Sequence, residues 1–121
     1  MPYKINWKNH SILTTWTGNV TGEELLALIK EVHSNHRFDD LNYSLHDFTA
    51  CTSATFSTDS IELAAALDGA AAESNSHIKV GIALVREDVK AMVKFYIGTE
   101  MSLYPVRIFT TAKEMIDWAD K

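Results

Sequence analysis

The sequence is poor in the residues that mark several common classes of protein. Its 121 residues contain one cysteine, Cys51, so no disulfide can form within the chain, and a lone thiol agrees with a reducing compartment. No apolar run approaches the ~20 residues that a membrane-spanning helix needs. The first five residues, MPYKI, lack the apolar core of a secretory signal. We therefore expect a cytoplasmic protein.

Positive charge is also scarce. The chain has 11 basic and 16 acidic residues, which gives a net charge of -5 that repels phosphate backbones unless basic groups cluster on one face. The nearest approach to a cluster is a set of basic residues interleaved with Glu87 and Asp88: Lys79, Arg86, Lys90 and Lys94. We therefore expect no nucleic-acid partner.

What the sequence does contain is the composition of an ordinary globular protein. Hydrophobic residues make up 46% and charged residues 22% of the chain. Because a chain of this length supports one hydrophobic core, we expect residues 1–121 to form a single domain.

The first third of the chain predicts a hairpin followed by a helix. Residues 3–8 and 11–20 are rich in β-branched and aromatic types, as in two paired strands. Thr21 and Glu24 then stand three residues apart, as in a capping box that satisfies free amide donors at a helix start. Apolar residues at helical spacing extend that helix over residues 22–34.

The middle of the chain predicts a strand, a loop, a helix and a buried strand. Residues 43–48 alternate as a strand does, whereas the hydroxyl-rich residues 49–60 favour a loop. Thr58 or Asp59 is expected to cap an alanine-rich helix over residues 59–74. The apolar run 78–85 predicts a strand buried on both faces in the middle of the sheet.

The rest of the chain predicts a helix that begins at residue 87 and ends near residue 98 or 100. A short strand over residues 105–109 and a last helix that Thr110 or Thr111 caps follow it. The order is ββαβαβαβα, and the later strands alternate with helices as in parallel crossover units. The sequence therefore predicts an α/β fold with a five-stranded mixed sheet and four helices.

This order resembles the SpoIIAA-like group of the STAS superfamily over essentially the whole chain. The resemblance rests on the strand that ends at Asp47, on the hydroxyl-rich segment before a small-residue helix, and on the segment Ile78-Lys79-Val80-Gly81-Ile82-Ala83. It implies a STAS-like fold and a regulatory or ligand-binding domain. The group is also similar to CRAL-TRIO lipid-transfer domains, which implies a hydrophobic ligand held between sheet and helices.

The resemblance also implies a regulatory segment at the start of the second helix. Anti-sigma-factor antagonists of the superfamily carry a phosphorylatable serine there, within an Asp-Ser-Ser-Gly-like sequence. Alignment on Phe56 places Asp59 where that serine stands, and the glycine after it is missing. Candidate regulatory residues are Ser57, Thr58, Asp59 and Ser60, and the alternative is a plain helix cap.

The third predicted helix carries more apolar surface than one buried face requires. Phe95 lies beside Lys90 and Lys94, and the helix runs on toward further apolar residues. One hypothesis is that residues 89–104 gate a hydrophobic ligand site against the alanine-rich helix and contact a membrane surface. The alternative is that both faces pack, one on the sheet and one in a homodimer.

Ligands of open parallel sheets generally bind outside the carboxyl ends of the strands. Asp47 and Arg86 could pair there, and their role is either that of a structural ion pair or cap or that of a ligand contact. The predicted ligand-binding residues at this edge and along the helices are Asp47, Phe48, Ala65, Arg86, Met92, Phe95 and Tyr96.

No catalytic residue, metal site or cofactor is predicted. His33, His36 and His46, with nearby aspartates, match no strong metal motif, and nothing around Cys51 resembles a cysteine-hydrolase signature. The leading hypothesis is a noncatalytic binding domain for a lipid-like or other small apolar ligand, with peripheral membrane contact. An antagonist-type protein-interaction module is second, and an enzyme is third.

Overall fold

The computed structural model describes residues 3–120 and shows one mixed sheet of five strands with four α-helices. The strands are β1 Tyr3–Lys8, β2 Ser11–Thr21, β3 Tyr43–Thr55, β4 Lys79–Ala83 and β5 Val106–Phe109. The helices are α1 Gly22–His33, α2 Thr58–Ala71, α3 Glu87–Gly98 and α4 Ala112–Ala119. The predicted fold class and order of elements are confirmed.

The strands lie in the spatial order β1-β2-β3-β4-β5. β1 is antiparallel to β2, and every later neighbouring pair is parallel. The apolar strand predicted for the middle of the sheet is β4, which lies next to the edge strand, so that prediction is wrong. The middle strand is β3, and β4 is nevertheless buried because helices cover both of its faces.

β3 is longer than predicted. Residues 49–55, expected to form a loop because of their many hydroxyl groups, continue the strand and pair with residues 17–21 of β2. The eleven-residue β2 supplies partners for five of these seven residues, with two shifts in register, and threonine is itself a good strand residue.

The helices divide between the two faces of the sheet. α1, α2 and α3 cover one face, where Ile12, Trp16, Phe48 and Ile82 belong to the main core. α4 covers part of the other face through Met115, which packs with Leu45 and Ala83. The main core and the space within it therefore lie between the sheet and the first three helices.

Local hydrogen bonds explain where the helices begin. The predicted capping box of α1 is present, since Glu24 N donates to Thr21 Oγ1 at 3.2 Å and Thr21 N donates to Glu24 Oε1 at 3.0 Å. Thr111 caps α4 as one of two predicted choices. The cap predicted for α2 is wrong, because Ser57 rather than Thr58 or Asp59 accepts the free amide, from Ser60 N.

Candidate functional site

A cavity of about 80 Å³ lies between the sheet and the helices of the main core. Its floor is formed by side chains from three neighbouring strands: Thr14 of β2, Ser44, His46 and Phe48 of β3, and Val80 and Ile82 of β4. Because side chains of a strand alternate between faces, residues two apart on β3 and β4 point to this same side. The floor therefore combines apolar side chains with hydroxyl and imidazole groups.

The roof of the cavity is mostly apolar. Leu25, Leu28, Ile29 and Val32 come from α1, at the spacing of one helical face, and Met92 and Val93 come from α3. A water needs only about 10–15 Å³, so this space holds several waters or a small organic molecule. Drug-sized ligands typically occupy about 300–1,000 Å³, so a larger occupant would have to displace part of the roof.

One carboxylate joins all three roof helices at the cavity. Asp68 of α2 accepts from the Tyr96 hydroxyl of α3 through Oδ2, and its Oδ1 lies 3.0 Å from His33 Nε2 of α1. Burial, and then the neighbouring carboxylate, raise the pKa of Tyr96 far above its ordinary value, so its hydroxyl stays a donor. These three residues, named here the Asp68 cluster, tie the roof together.

His46 is a further polar residue of the cavity. Its Nδ1 accepts a hydrogen bond of 3.2 Å from Trp16 Nε1, and its ring stacks on Phe48 at a centroid distance of 5.8 Å. Burial lowers the pKa of His46 to about 4, although the negative charge of Asp68 acts in the opposite direction. The imidazole is therefore neutral near pH 7.

The structure brings together part of the predicted ligand site. Phe48, Met92 and Tyr96 all border the cavity. Ala65 is fully buried but does not border it, and Phe95 instead packs against Phe56 with ring centroids 6.3 Å apart. Of these five predicted residues, only Phe48, Met92 and Tyr96 therefore line the cavity.

Asp47 and Arg86, which the sequence suggested as a possible pair, do not pair with each other. Arg86 Nε donates to Asp88 Oδ1 at 3.0 Å, while Asp47 Oδ1 accepts from the amide and hydroxyl of Thr49 at 2.9 and 2.6 Å. The hydrogen bond from Arg86 is the main reason why the pKa of Asp88 is held below its ordinary value. Asp88 also accepts from Ala54 N at 3.0 Å, so these charges fix the ends of β3 and α3.

Apart from Tyr96, the polar residues that the cavity brings together were not predicted as ligand-binding residues. From the sequence, His33 and His46 are candidate metal ligands, His46 is also a candidate partner of Cys51, and Asp68 is not singled out. The available signal was an acidic residue within the otherwise small and apolar stretch of α2, because an acid among alanines on a buried helix requires a partner.

The possible metal ligands and the cysteine named in the sequence analysis can be located in the part of the chain that the structure describes. Among residues 3–120, no group of three or more His, Cys, Asp and Glu side chains is placed to hold a metal ion. Cys51 is buried, and burial, then the charges of Asp47 and Asp88, raise the pKa of its thiol to about 11.

The start of α2 is a separate polar feature. Ser57, Thr58 and Asp59 are exposed, whereas Ser60 is buried and donates from its hydroxyl to Ser57 O at 2.9 Å. A Cβ atom added at Gly22 would collide with the Ser60 side chain, so the first turns of α1 and α2 are in close contact. Of the four predicted regulatory residues, only the first three are therefore accessible.

Some apolar side chains of α3 and of the segment after it are exposed to solvent. Ile97, Met101 and Leu103 have exposed fractions of 44%, 45% and 71%. Within residues 3–120, none of the helices is both long enough and apolar enough to cross a bilayer.

Comparison with known proteins finds similarity at the level of structure alone. No protein-family model matches the chain, and no curated protein matches it. The anti-sigma factor antagonist SpoIIAA in its unphosphorylated form superposes with a TM-score of 0.65 at 8% identity, covering 98% of this chain and 97% of that one. The phosphorylated form of the Bacillus cell fate determinant SpoIIAA gives 0.61 at 9% identity, covering 97% and 98%.

A third structure is an uncharacterised Shewanella loihica protein of the DUF3478 family with a SpoIIAA-like fold. It superposes with a TM-score of 0.50 at 15% identity and covers 96% of this chain and 90% of that one. The chain therefore has a SpoIIAA-like fold, as its sequence predicts. The further likeness to CRAL-TRIO domains stays a prediction.

Proposed function

We propose that this chain is a noncatalytic regulatory domain of the cytoplasm that acts by binding another protein at the exposed start of α2. The observation that carries the proposal is the likeness along the whole chain to SpoIIAA, which is described as an anti-sigma factor antagonist and a cell fate determinant. Since fold likeness at 8–9% identity does not transfer a partner, the partner is proposed only as a protein.

The start of α2 has the chemistry of a regulated contact surface. Ser57 and Thr58 are exposed beside the free amides of a helix start, where the macrodipole favours a phosphate. Ser60 is packed against Gly22 and would be modified only if the two helix starts separated. Alignment on Phe56 places the negative charge of Asp59 at the position where the antagonists have their serine.

A site-specific crosslink tests the contact. A photoreactive phenylalanine is placed at Thr58, and in a matched control at Lys113, which is exposed on α4. Irradiation in the cell that makes the protein should give a discrete protein adduct from position 58 that position 113 does not give. The proposal fails if the two positions give the same adducts, or if position 58 gives none.

Phosphopeptide mass spectrometry tests regulation separately. Modified peptides should carry the phosphate on Ser57 or Thr58 and not on Ser60, because only the first two are exposed. Uniformly unmodified peptides would exclude phosphorylation while leaving the crosslinking result intact.

A second candidate function is the binding of a small, mainly apolar molecule. The specific observation that favours it is the cavity beneath α1 and α3, whose lining is largely aliphatic and aromatic. In this candidate the exposed Ile97, Met101 and Leu103 supply a membrane contact through which an apolar ligand enters.

Native mass spectrometry of protein purified without detergent tests this second candidate. A bound mass that is lost on acid unfolding is expected. Flotation with anionic liposomes should be reduced when Leu103 is changed to serine but not when Leu63, exposed on α2 instead, is changed in the same way. Protein that carries no ligand and does not float in either form would rule out both the ligand and the membrane contact.

A further inference from the structure

His46 offers the cavity a hydrogen-bond donor that takes no partner among residues 3–120. The indole N–H of Trp16 can only donate, so His46 Nδ1 must be the unprotonated, accepting nitrogen of the ring. A neutral imidazole with an unprotonated Nδ1 carries its hydrogen on Nε2. The sheet thus fixes the tautomer of His46 through its neighbour on β2.

His46 Nε2–H has no acceptor among residues 3–120, and His46 borders the cavity. Within residues 3–120, Ser102 Oγ is the only side-chain nitrogen or oxygen that is both inaccessible to solvent and without a hydrogen-bond partner. His46 Nε2, which also lacks a partner, is therefore accessible to a molecule in the cavity. Most buried polar groups in proteins are hydrogen-bonded. An occupant of the cavity is therefore placed to receive this hydrogen bond.

The charges around the cavity restrict the occupant further. Its lining includes one carboxylate, Asp68, and neither lysine nor arginine. Both oxygens of Asp68 are already engaged, by His33 and by Tyr96. An anion such as a free fatty acid would meet this negative charge with no fixed cation to compensate it, and a buried uncompensated charge is strongly unfavourable.

We infer that the cavity selects an uncharged, mainly apolar small molecule that presents one acceptor oxygen, as in a ketone, ether or alcohol, to His46 Nε2–H. This inference rests on the second candidate function, in which the cavity is a ligand site. Phe48 and Met92 supply the apolar contacts, and His46 decides which apolar molecules are retained.

Three compounds of similar size and shape separate the possibilities in the full chain. Cyclopentanone has the acceptor, methylcyclopentane lacks it, and cyclopentanecarboxylate adds a negative charge. Binding is measured by titration of the amide and methyl NMR spectra at pH 7. Because one hydrogen bond contributes about a factor of ten, the ketone should bind about tenfold more tightly than the hydrocarbon, and the anion more weakly than the ketone by at least about tenfold.

Variants assign the preference to the donor. His46→Gln keeps both an acceptor for Trp16 and an N–H for the ligand, so it should retain the preference for the ketone. His46→Phe should remove it, while His36→Phe, on an exposed turn, should leave it unchanged. If His46→Phe does not fold, long-range ¹H–¹⁵N spectra of the unmodified protein still decide, since they should show the Nε2–H tautomer and a change at Nε2 on addition of cyclopentanone.

The outcomes are distinguishable. Equal binding of ketone and hydrocarbon, or a ring protonated at Nδ1, would overturn the role of His46 while leaving the cavity a ligand site. Failure of all three compounds to bind at millimolar concentration would overturn the second candidate function itself, and this inference with it.

Discussion

Trp16 of β2 donates its indole N–H to Nδ1 of His46 on the adjacent β3, at 3.2 Å, beneath the helices of the main core. Trp16 is fully buried and also stacks on Phe48 at a centroid distance of 5.4 Å, so the donor has little freedom to turn away. The bond stabilises a neutral histidine inside the protein, and this has a consequence for stability in acid.

Acid should destabilise the protein through His46. The pKa of His46 is about 4 in the folded protein, against an ordinary value of 6.5. Between these values the unfolded chain binds a proton that the folded protein does not, so the free energy of unfolding is fully retained above pH 6.5 and falls as the pH is lowered toward 4. The loss attributable to this residue should reach about 3 kcal/mol.

Urea unfolding of the unmodified protein and of His46→Gln, at intervals from pH 7.5 to 4, measures this contribution. Glutamine does not titrate, so the difference between the two curves should shrink across this range, whereas His36→Gln should follow the unmodified protein. A His46→Gln curve that runs parallel to that of the unmodified protein would contradict the assignment.

Asp68 should contribute more to the free energy of unfolding than an exposed aspartate does. Asp68→Asn removes the charge that holds His33 and Tyr96 together across three helices, and should lower the free energy of unfolding by roughly 1–3 kcal/mol. Asp39→Asn, on an exposed turn, should change it by less than about 0.5 kcal/mol.

A double-mutant cycle on Asp68→Asn and Tyr96→Phe should show a coupling of about 0.5–3 kcal/mol, since the two side chains share a hydrogen bond. Strictly additive effects in urea unfolding would mean that the Asp68 cluster does not tie α2 to α3.

Two glycines should respond in opposite directions to the same substitution. In Gly69→Ala, within α2, the new Cβ would run into the backbone carbonyl of Met101, so the protein should lose roughly 1–3 kcal/mol despite the better helix propensity of alanine. Gly98→Ala, at the end of α3, meets no atom within 4 Å and should be neutral or stabilising by up to about 1 kcal/mol. Thermal unfolding of both variants is the measurement, and an unchanged or raised unfolding temperature for Gly69→Ala would refute the close approach at Gly69.

The Cys51 thiol should be inert in the folded protein. With a pKa of about 11, only about one molecule in a thousand carries the reactive thiolate at pH 8. Alkylation by iodoacetamide should therefore be slow until denaturant is added. In the matched variant Cys51→Ala/Thr52→Cys the thiol moves to an exposed neighbouring position and should react quickly without denaturant. Equal rates for the two folded proteins would show that burial does not protect Cys51.

Elements specified by neighbouring residues were predictable from the sequence. Thr21 and Glu24 form their capping box because both partners lie within one helical turn, and the apolar face of α1 follows from residue spacing. The fold class, the order of elements and three cavity residues, Phe48, Met92 and Tyr96, were reached in this way. The α2 cap was missed by one residue because several hydroxyl groups stand together there and any of them can accept an amide.

Other features depended on partners far away in the chain. Residues 49–55 form a strand because they pair with β2, and composition does not reveal that pairing. β4 lies next to the edge of the sheet because β5, the edge strand, pairs with it. By itself, the sequence determined a five-stranded α/β fold with apolar helical faces turned toward its sheet. Only the tertiary structure brought Asp68 to His33 and Tyr96, and Trp16 to His46, because the burial that forces these polar groups to find partners exists only once sheet and helices have closed over them.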